Sequence, residues 1–306
     1  MSGLDPRDDD LVQPFLIDES GLRGRLIRLG PAVDEILRRH DYPEPVAMLL
    51  GEALALTAAL AAALRFNGIF TLQTKGDGPV RLLVVDVNDE GGLRGYAELR
   101  GPIPTDVGDA PVPRLLGSGY LAFTVDQGPD TERYQGIVEL IGPTLADCIQ
   151  HYFQQSQQFA AGVKLAAGRD FGGAWRAGAL MVQRLPQNEQ VPEDDEAEDA
   201  WRRAVILVGH CTQAELLDPV LTPHRLLYRL FHEDGVRVFP TQKLLPVCRC
   251  SRERALGALG LLSAEELEEC KVDGRITVAC QFCNRDQVFE DADLAGLRGG
   301  AAPATS

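Results

Sequence analysis

The sequence predicts an α+β chain: an N-terminal domain of antiparallel sheets with helices, a helical linker, and a small C-terminal domain organised around four cysteines. Three observations predict it. Between residues 69 and 140 apolar residues recur at the two-residue period of strands, broken by turns rich in Gly, Pro and Asp. Near residue 187 the composition turns acidic and polar. Close to the C-terminus two tight cysteine pairs are separated by 29 residues.

Taken in order, Leu22–Leu29 reads as a strand, and a short helix starts at Pro31 and ends at His40. The Ala- and Leu-rich stretch from Pro45 to Arg65 reads as a long helix. Glu52 divides its apolar run into pieces shorter than the roughly 20 residues of a bilayer span, which predicts a buried helix. Strands follow at Ile69–Thr74, Val80–Val87 and Leu93–Leu99, and a further pair at Tyr120–Val125 and Tyr134–Leu140. A helix over Thr144–Ser156 and strands at Phe159–Ala166 and Trp175–Arg184 complete the domain, residues 1–186. Hairpins in series followed by isolated helices favour antiparallel pairing.

Gln187–Asp199 is broken by proline and holds seven acidic residues, which predicts a solvated connector. Short helices are expected at Ala200–Cys211, Gln213–Leu217 and Pro223–His232. Leu226, Leu227, Leu230 and Phe231 share a helical face there, so this linker, residues 187–247, docks on something. Residues 248–294 form the last domain, and residues 295–306, rich in Gly and Ala, read as a disordered tail.

Composition excludes several function classes. At 306 residues, 45% hydrophobic and 25% charged, the chain can build a real core. A formal charge of −15 argues against a nucleic-acid partner, because that affinity rests on clustered Lys and Arg. Met1–Asp10 has four aspartates and no apolar run, so neither a secretory signal nor a membrane partner is expected, and the location read from this is cytoplasmic. Seven cysteines in such a chain point to metal or redox chemistry rather than to structural disulfides.

The chemistry gathers in Cys248-Arg249-Cys250 and Cys280-Gln281-Phe282-Cys283. Zn²⁺ takes a tetrahedron of soft thiolates, and two close pairs brought together supply one, so these four cysteines are the candidate metal ligands for one Zn²⁺ per chain. Between the pairs, Ser251 can cap one short helix, and Ser263 with Glu266 forms a capping box for a second. Arg249, Arg252, Arg254, Lys271, Arg275 and Arg285 can offset the formal −2 of a four-thiolate site and keep the thiolates reactive. Most four-cysteine sites are structural. Two features favour a switch here: a C-x-C pair is less usual in a purely structural ribbon, and local disulfides close short loops that stabilise little, whereas metal loss removes most of the folding energy.

Cys148 and Cys211 sit in apolar helical contexts and read as inert thiols, and Cys270 as passive at a helix end. His210 and Cys211 are adjacent and do not face each other on a helix. The chain has no nucleophile elbow, H-E-x-x-H, phosphate loop or dinucleotide fingerprint, and four cysteine ligands leave zinc no open position, so no catalytic residues are assigned and no enzyme is expected. The rival reading is a zinc-ribbon adaptor with a purely structural metal.

Cys-Arg-Cys-Ser-Arg-Glu-Arg (248–254) with Cys-Gln-Phe-Cys-Asn (280–284) resembles the redox-regulated 33-kDa heat shock chaperone family of bacteria. Leu22-Arg23-Gly24-Arg25, Leu50-Gly51-Glu52, Gly76-Asp77-Gly78-Pro79, Leu93-Arg94-Gly95-Tyr96-Ala97 and Tyr134-Gln135-Gly136-Ile137-Val138 extend the likeness over nearly the whole chain. The resemblance implies an ATP-independent holdase, inactive while reduced and zinc-bound. It implies that oxidants convert the ligands into disulfides Cys248–Cys250 and Cys280–Cys283 and release zinc. The zinc domain and linker then unfold, client proteins that are losing their structure are captured, and oxidised chains tend to dimerise. Cys211 and Cys270 are not part of the family motif, and other disulfides through them would alter that pairing.

Overall fold

The structure is a computed structural model, and it describes residues 9–128, 131, 133–156, 160–184 and 195–295. Expectations for Phe159, for most of the connector from Gln187 and for the tail beyond Ala295 lie outside the described residues. By its contacts the chain divides into two units, Met1–Val247 and Cys248–Ser306.

The first unit opens with the strands β1 (Leu11–Ile17) and β2 (Leu22–Leu29) and the helices α1 (Pro31–Arg38) and α2 (Glu44–Ala61). Strands β3 (Ile69–Gly76), β4 (Val80–Asn88) and β5 (Gly92–Leu99) follow, then a π-helical turn at Val112–Leu116, and β6 (Gly119–Asp126) with β7 (Tyr134–Glu139). Next come α3 (Leu145–Ser156), β8 (Ala160–Arg169) and β9 (Trp175–Arg184). The helices α4 (Asp195–Gly209), α5 (Gln213–Leu217) and α6 (Pro223–Phe231) precede three short strands, β10 (Val236–Val238), β11 (Gln242–Lys243) and β12 (Leu245–Pro246).

The strands make two sheets. One runs β10-β1-β2-β9-β8, with β11 also on β1, and the other runs β12-β5-β4-β3-β6-β7. All pairings are antiparallel except the two-residue parallel contact of β12 with β5, a departure from the purely antiparallel expectation. Helix α2 packs against strands of both sheets, which is why an Ala- and Leu-rich helix with no polar face is stable in this setting. By length and composition α2 could cross a membrane, but 78% of it is buried inside the fold, as expected for a core helix.

Strands β2 and β9 are apolar on both faces because each face has a covering layer. Ile27, Leu29, Ala179 and Met181 join the core around α2. Leu26, Leu180 and Val182 point the other way, with Phe15 and Ile17, into a second cluster covered by α4, α5 and α6. Leu226, Leu227, Leu230 and Phe231 are all buried in that cluster, so the helical face read from the sequence docks on the first sheet.

Three differences from expectation have physical causes. Asp195–Asp199, read as connector, forms the first turns of α4, where carboxylates favour the positive end of the helix dipole. Glu198 there also pairs with Arg184 of β9 at 2.5 Å. The strand β1 was hidden by Pro14, which cannot donate to its neighbour. Phe239 donates its N–H to the Pro14 oxygen, and the Gln13 side-chain amide donates to the Phe239 oxygen at 2.6 Å, supplying the hydrogen bond proline lacks. Finally, β10, β11 and β12 are too short to show a period and exist by adding to strand edges.

Candidate metal centre

The second unit contains α7 (Arg252–Leu259), α8 (Ala264–Glu269), the hairpin β13 (Arg275–Ala279) and β14 (Asp286–Glu290), and α9 (Asp291–Ala295). Local sequence dictates each piece. The Ser251 side chain accepts from the Arg254 N–H at the start of α7, and Ser263 and Glu266 form the capping box that opens α8. The hairpin turn carries the second cysteine pair. Cys280 donates its N–H to the Arg285 oxygen, Asn284 donates to the Cys280 oxygen, and Asn284 takes a left-handed φ of 53°, a conformation asparagine tolerates. Among the described residues the buried apolar core of this unit is Leu259, Leu267, Ile276, Phe289 and Leu294, with Ala255, Leu256 and Val278 packed partly buried against it.

The structure brings all four sequence-predicted cysteines together. The sulfurs of Cys248, Cys250, Cys280 and Cys283 lie within 4.8 Å of one another. Cys248 Sγ is 3.7 Å from Cys280 Sγ, and Cys250 Sγ is 3.5 Å from Cys283 Sγ. A tetrahedron of thiolates at 2.3 Å from a zinc ion has an edge of roughly 3.8 Å. The donor set and its spacing therefore fit a metal ion, with contacts made across the two pairs. Cys283 is buried and the other three are half-buried.

The thiols of Cys248, Cys250 and Cys283 influence one another's ionisation. Burial opposes ionisation of Cys248, yet hydrogen bonds from the Cys250 backbone and from the Cys250, Cys283 and Cys280 thiols draw it down to about 7. Burial and hydrogen bonding to Cys248 and Cys283 push Cys250 up to about 12, and burial raises Cys283 as well. The Cys248 thiolate is thus favoured first, while Cys250 and Cys283 hold their protons until a cation replaces them.

The cations expected around the thiolates are engaged more widely. Arg252 pairs with Asp293 at 2.7 Å, Lys271 with Glu268 and Asp291 at 2.6 Å each, and Arg275 with Glu290 at 3.2 Å. Arg254 donates to the Arg249 oxygen. Part of this positive charge therefore ties the small unit together instead of facing sulfur.

All seven cysteines are free thiols. Cys148 and Cys211 are buried and each is pushed up to about 11 by burial, in keeping with inert thiols. Cys270 is exposed at the C-cap of α8, outside the sulfur cluster, and His210 is exposed while Cys211 is buried, so those two do not face each other. Sequence reading passed over Arg28 and Arg176, which prove to be buried anchors for α5. No local signal marks them, because arginines along β2 also occur at Arg23 and Arg25, as on a solvated face.

The family model described as Hsp33 protein matches residues 10–290. A 33 kDa chaperonin of Caulobacter vibrioides (strain NA1000 / CB15N) is 44% identical over 285 residues, covering 90% of this chain and 93% of the relative. A 33 kDa chaperonin of Pseudomonas fluorescens (strain SBW25) is 41% identical over 296 residues, covering 96% and 95%. The crystal structure of the 33 kDa chaperonin from Thermotoga maritima superposes with a TM-score of 0.79 at 24% identity, covering 94% of this chain and 97% of that one, and shares the fold. The relatives at 44% and 41% identity are named as chaperones, and that is the class of protein to which this chain is similar. The chain belongs to the Hsp33 family.

Proposed function

We propose that this chaperone is a redox-switched, ATP-independent holdase whose switch is one Zn²⁺ held by Cys248, Cys250, Cys280 and Cys283. The sulfur cluster carries this reading, since its 3.5 and 3.7 Å separations suit a closed four-thiolate tetrahedron with no position for substrate. When bound, zinc keeps the four sulfurs ionised and contributes roughly 10–16 kcal/mol that a five-residue core does not supply.

The chain's own residues perform the switch. Cys248 and Cys250 give up two electrons to peroxide, which takes two protons and becomes two waters, and a disulfide closes between them. Cys280 and Cys283 do the same with a second peroxide. Each loop spans only a few residues and constrains the unfolded chain little, so oxidation exchanges a strong constraint for two weak ones. The unit then unfolds instead of locking.

The metastable linker in this reading is residues 187–247, whose described helices α4–α6 cover Phe15, Ile17, Leu26, Leu180 and Val182. Releasing them bares an apolar face for unfolded or partly folded client proteins. The oxidised form dimerises. The protein works in the cytoplasm, with neither nucleic acid nor membrane as partner. The test is metal release measured together with client aggregation, before and after peroxide at heat-shock temperature. Zinc that stays bound, or leaves with no gain in aggregation suppression, reduces the four cysteines to a structural clip.

A further inference from the structure

Helix α5 is only five residues long, and its carboxyl end has carbonyl groups that no helical N–H can reach. Two buried arginines on neighbouring sheet strands meet that end and the turn that leads from it to α6. Arg28 of β2, 2% exposed, donates to the Leu221 oxygen at 2.7 Å and to the Asp218 oxygen. Arg176 of β9, 5% exposed, donates from Nε to the Leu217 oxygen at 2.8 Å, and its other end pairs with Asp9 at 2.5 Å.

The approach is close by construction. Gly178 on β9 faces α5, and a Cβ there would come within 2.8 Å of Leu216 Cγ and 3.1 Å of the Leu216 oxygen. The amino end of α5 is held too, by Gln213 donating to the Ala167 oxygen at 3.1 Å and by the Thr212–Glu215 capping box, to which Arg229 of α6 adds an ion pair at 2.6 Å. The apolar contacts of α4–α6 are non-directional, so many packings would satisfy them. The guanidinium contacts are directional and charge-assisted, so they are lost together once the chain from Leu217 to Leu221 moves.

We propose that Arg28 and Arg176 form a latch whose hold on the carboxyl end of α5 sets how readily the layer α4–α6 leaves the sheet. They are positioning residues: they act through α5 on the apolar face beneath it. The proposal deepens the holdase reading and rests on it for the consequence of release. It places part of the oxidant threshold far in sequence from the thiols, on the sheet that the helices cover.

The test uses the full-length reduced protein, with metal content measured in every sample. Arg28→Met and Arg176→Met, singly and together, keep the apolar length of the side chain and remove its donors. The expected result for the double variant is cleavage within residues 195–231 by a protease roughly tenfold faster than in wild type. Aggregation of a thermally unfolding client should also be suppressed without peroxide, while metal content stays at the wild-type level. Arg28→Lys, which offers one compact donor group in place of a fork, should fall between. A double variant as protected and as oxidant-dependent as wild type overturns the latch. Should the methionine variants fail to fold by circular dichroism, the half-exposed Asp9→Asn decides: faster cleavage than wild type supports the latch, and unchanged cleavage overturns it. If oxidised wild type does not suppress aggregation, the holdase reading fails, and the cleavage comparison still decides the latch.

Discussion

The Arg252 guanidinium lies 4.4 Å over the ring of Phe289, which is fully buried at the centre of the four-cysteine unit. The same side chain donates to the Val288 oxygen at 2.8 Å and pairs with Asp293 at 2.7 Å, so one residue of α7 ties β14 and α9 together. The cation–π contact contributes about 1 kcal/mol, and the exposed ion pair adds little. Arg252→Ala should leave the zinc stoichiometry intact but lower the peroxide dose at which half the metal is released, read with a colorimetric zinc chelator.

Phe289 is the larger lever. Replacing it with alanine removes the biggest member of a five-residue core, a loss of roughly 3–5 kcal/mol. Without metal the unit has little else to hold it. Phe289→Ala should therefore weaken metal affinity in competition with a chelator, and the reduced variant should suppress client aggregation in part without oxidant.

The cysteines should sort by position. Cys248→Ser, Cys250→Ser, Cys280→Ser and Cys283→Ser each break a four-sulfur set and should drop bound zinc well below one per chain. Cys148→Ser and Cys270→Ser lie outside that set and should retain one zinc per chain by atomic absorption. Loss of zinc in the Cys270 variant would show that an outlying thiol takes part in coordination.

Glu52 gives the first unit a pH dependence. Burial within α2, partly offset by Lys164, pushes its carboxyl from the ordinary 4.5 up to about 7. The folded state therefore binds more protons than the unfolded state between those values, and stability falls as pH rises through that window. The contribution is complete below about 4.5 and lost above about 7, amounting to roughly 3 kcal/mol. Glu52→Gln should flatten this part of the melting temperature against pH and raise stability at pH 8 more than at pH 5.

Where sequence and structure agree, the information was local. The strand Trp175–Arg184 and the helix Gln213–Leu217 fall where their patterns put them, and Ser251, Ser263 and Glu266 cap the helices that their spacing announces. The two cysteine pairs were legible because metal-ligand spacing is itself a local pattern. What escaped depends on distant chain. Gln13 supplies a donor to Phe239, 226 residues away, and Arg28 meets carbonyls about 190 residues on. Asp195–Asp199 looked like a linker because acidity is shared by solvated connectors and by helix amino ends.

The switch itself is tested most directly by following zinc release and light scattering of a thermally unfolding client in one sample, with and without peroxide at heat-shock temperature. The account predicts that about one zinc per chain leaves and that only the oxidised protein keeps the client from aggregating. Metal retained under peroxide, or released without any protection of the client, would contradict it.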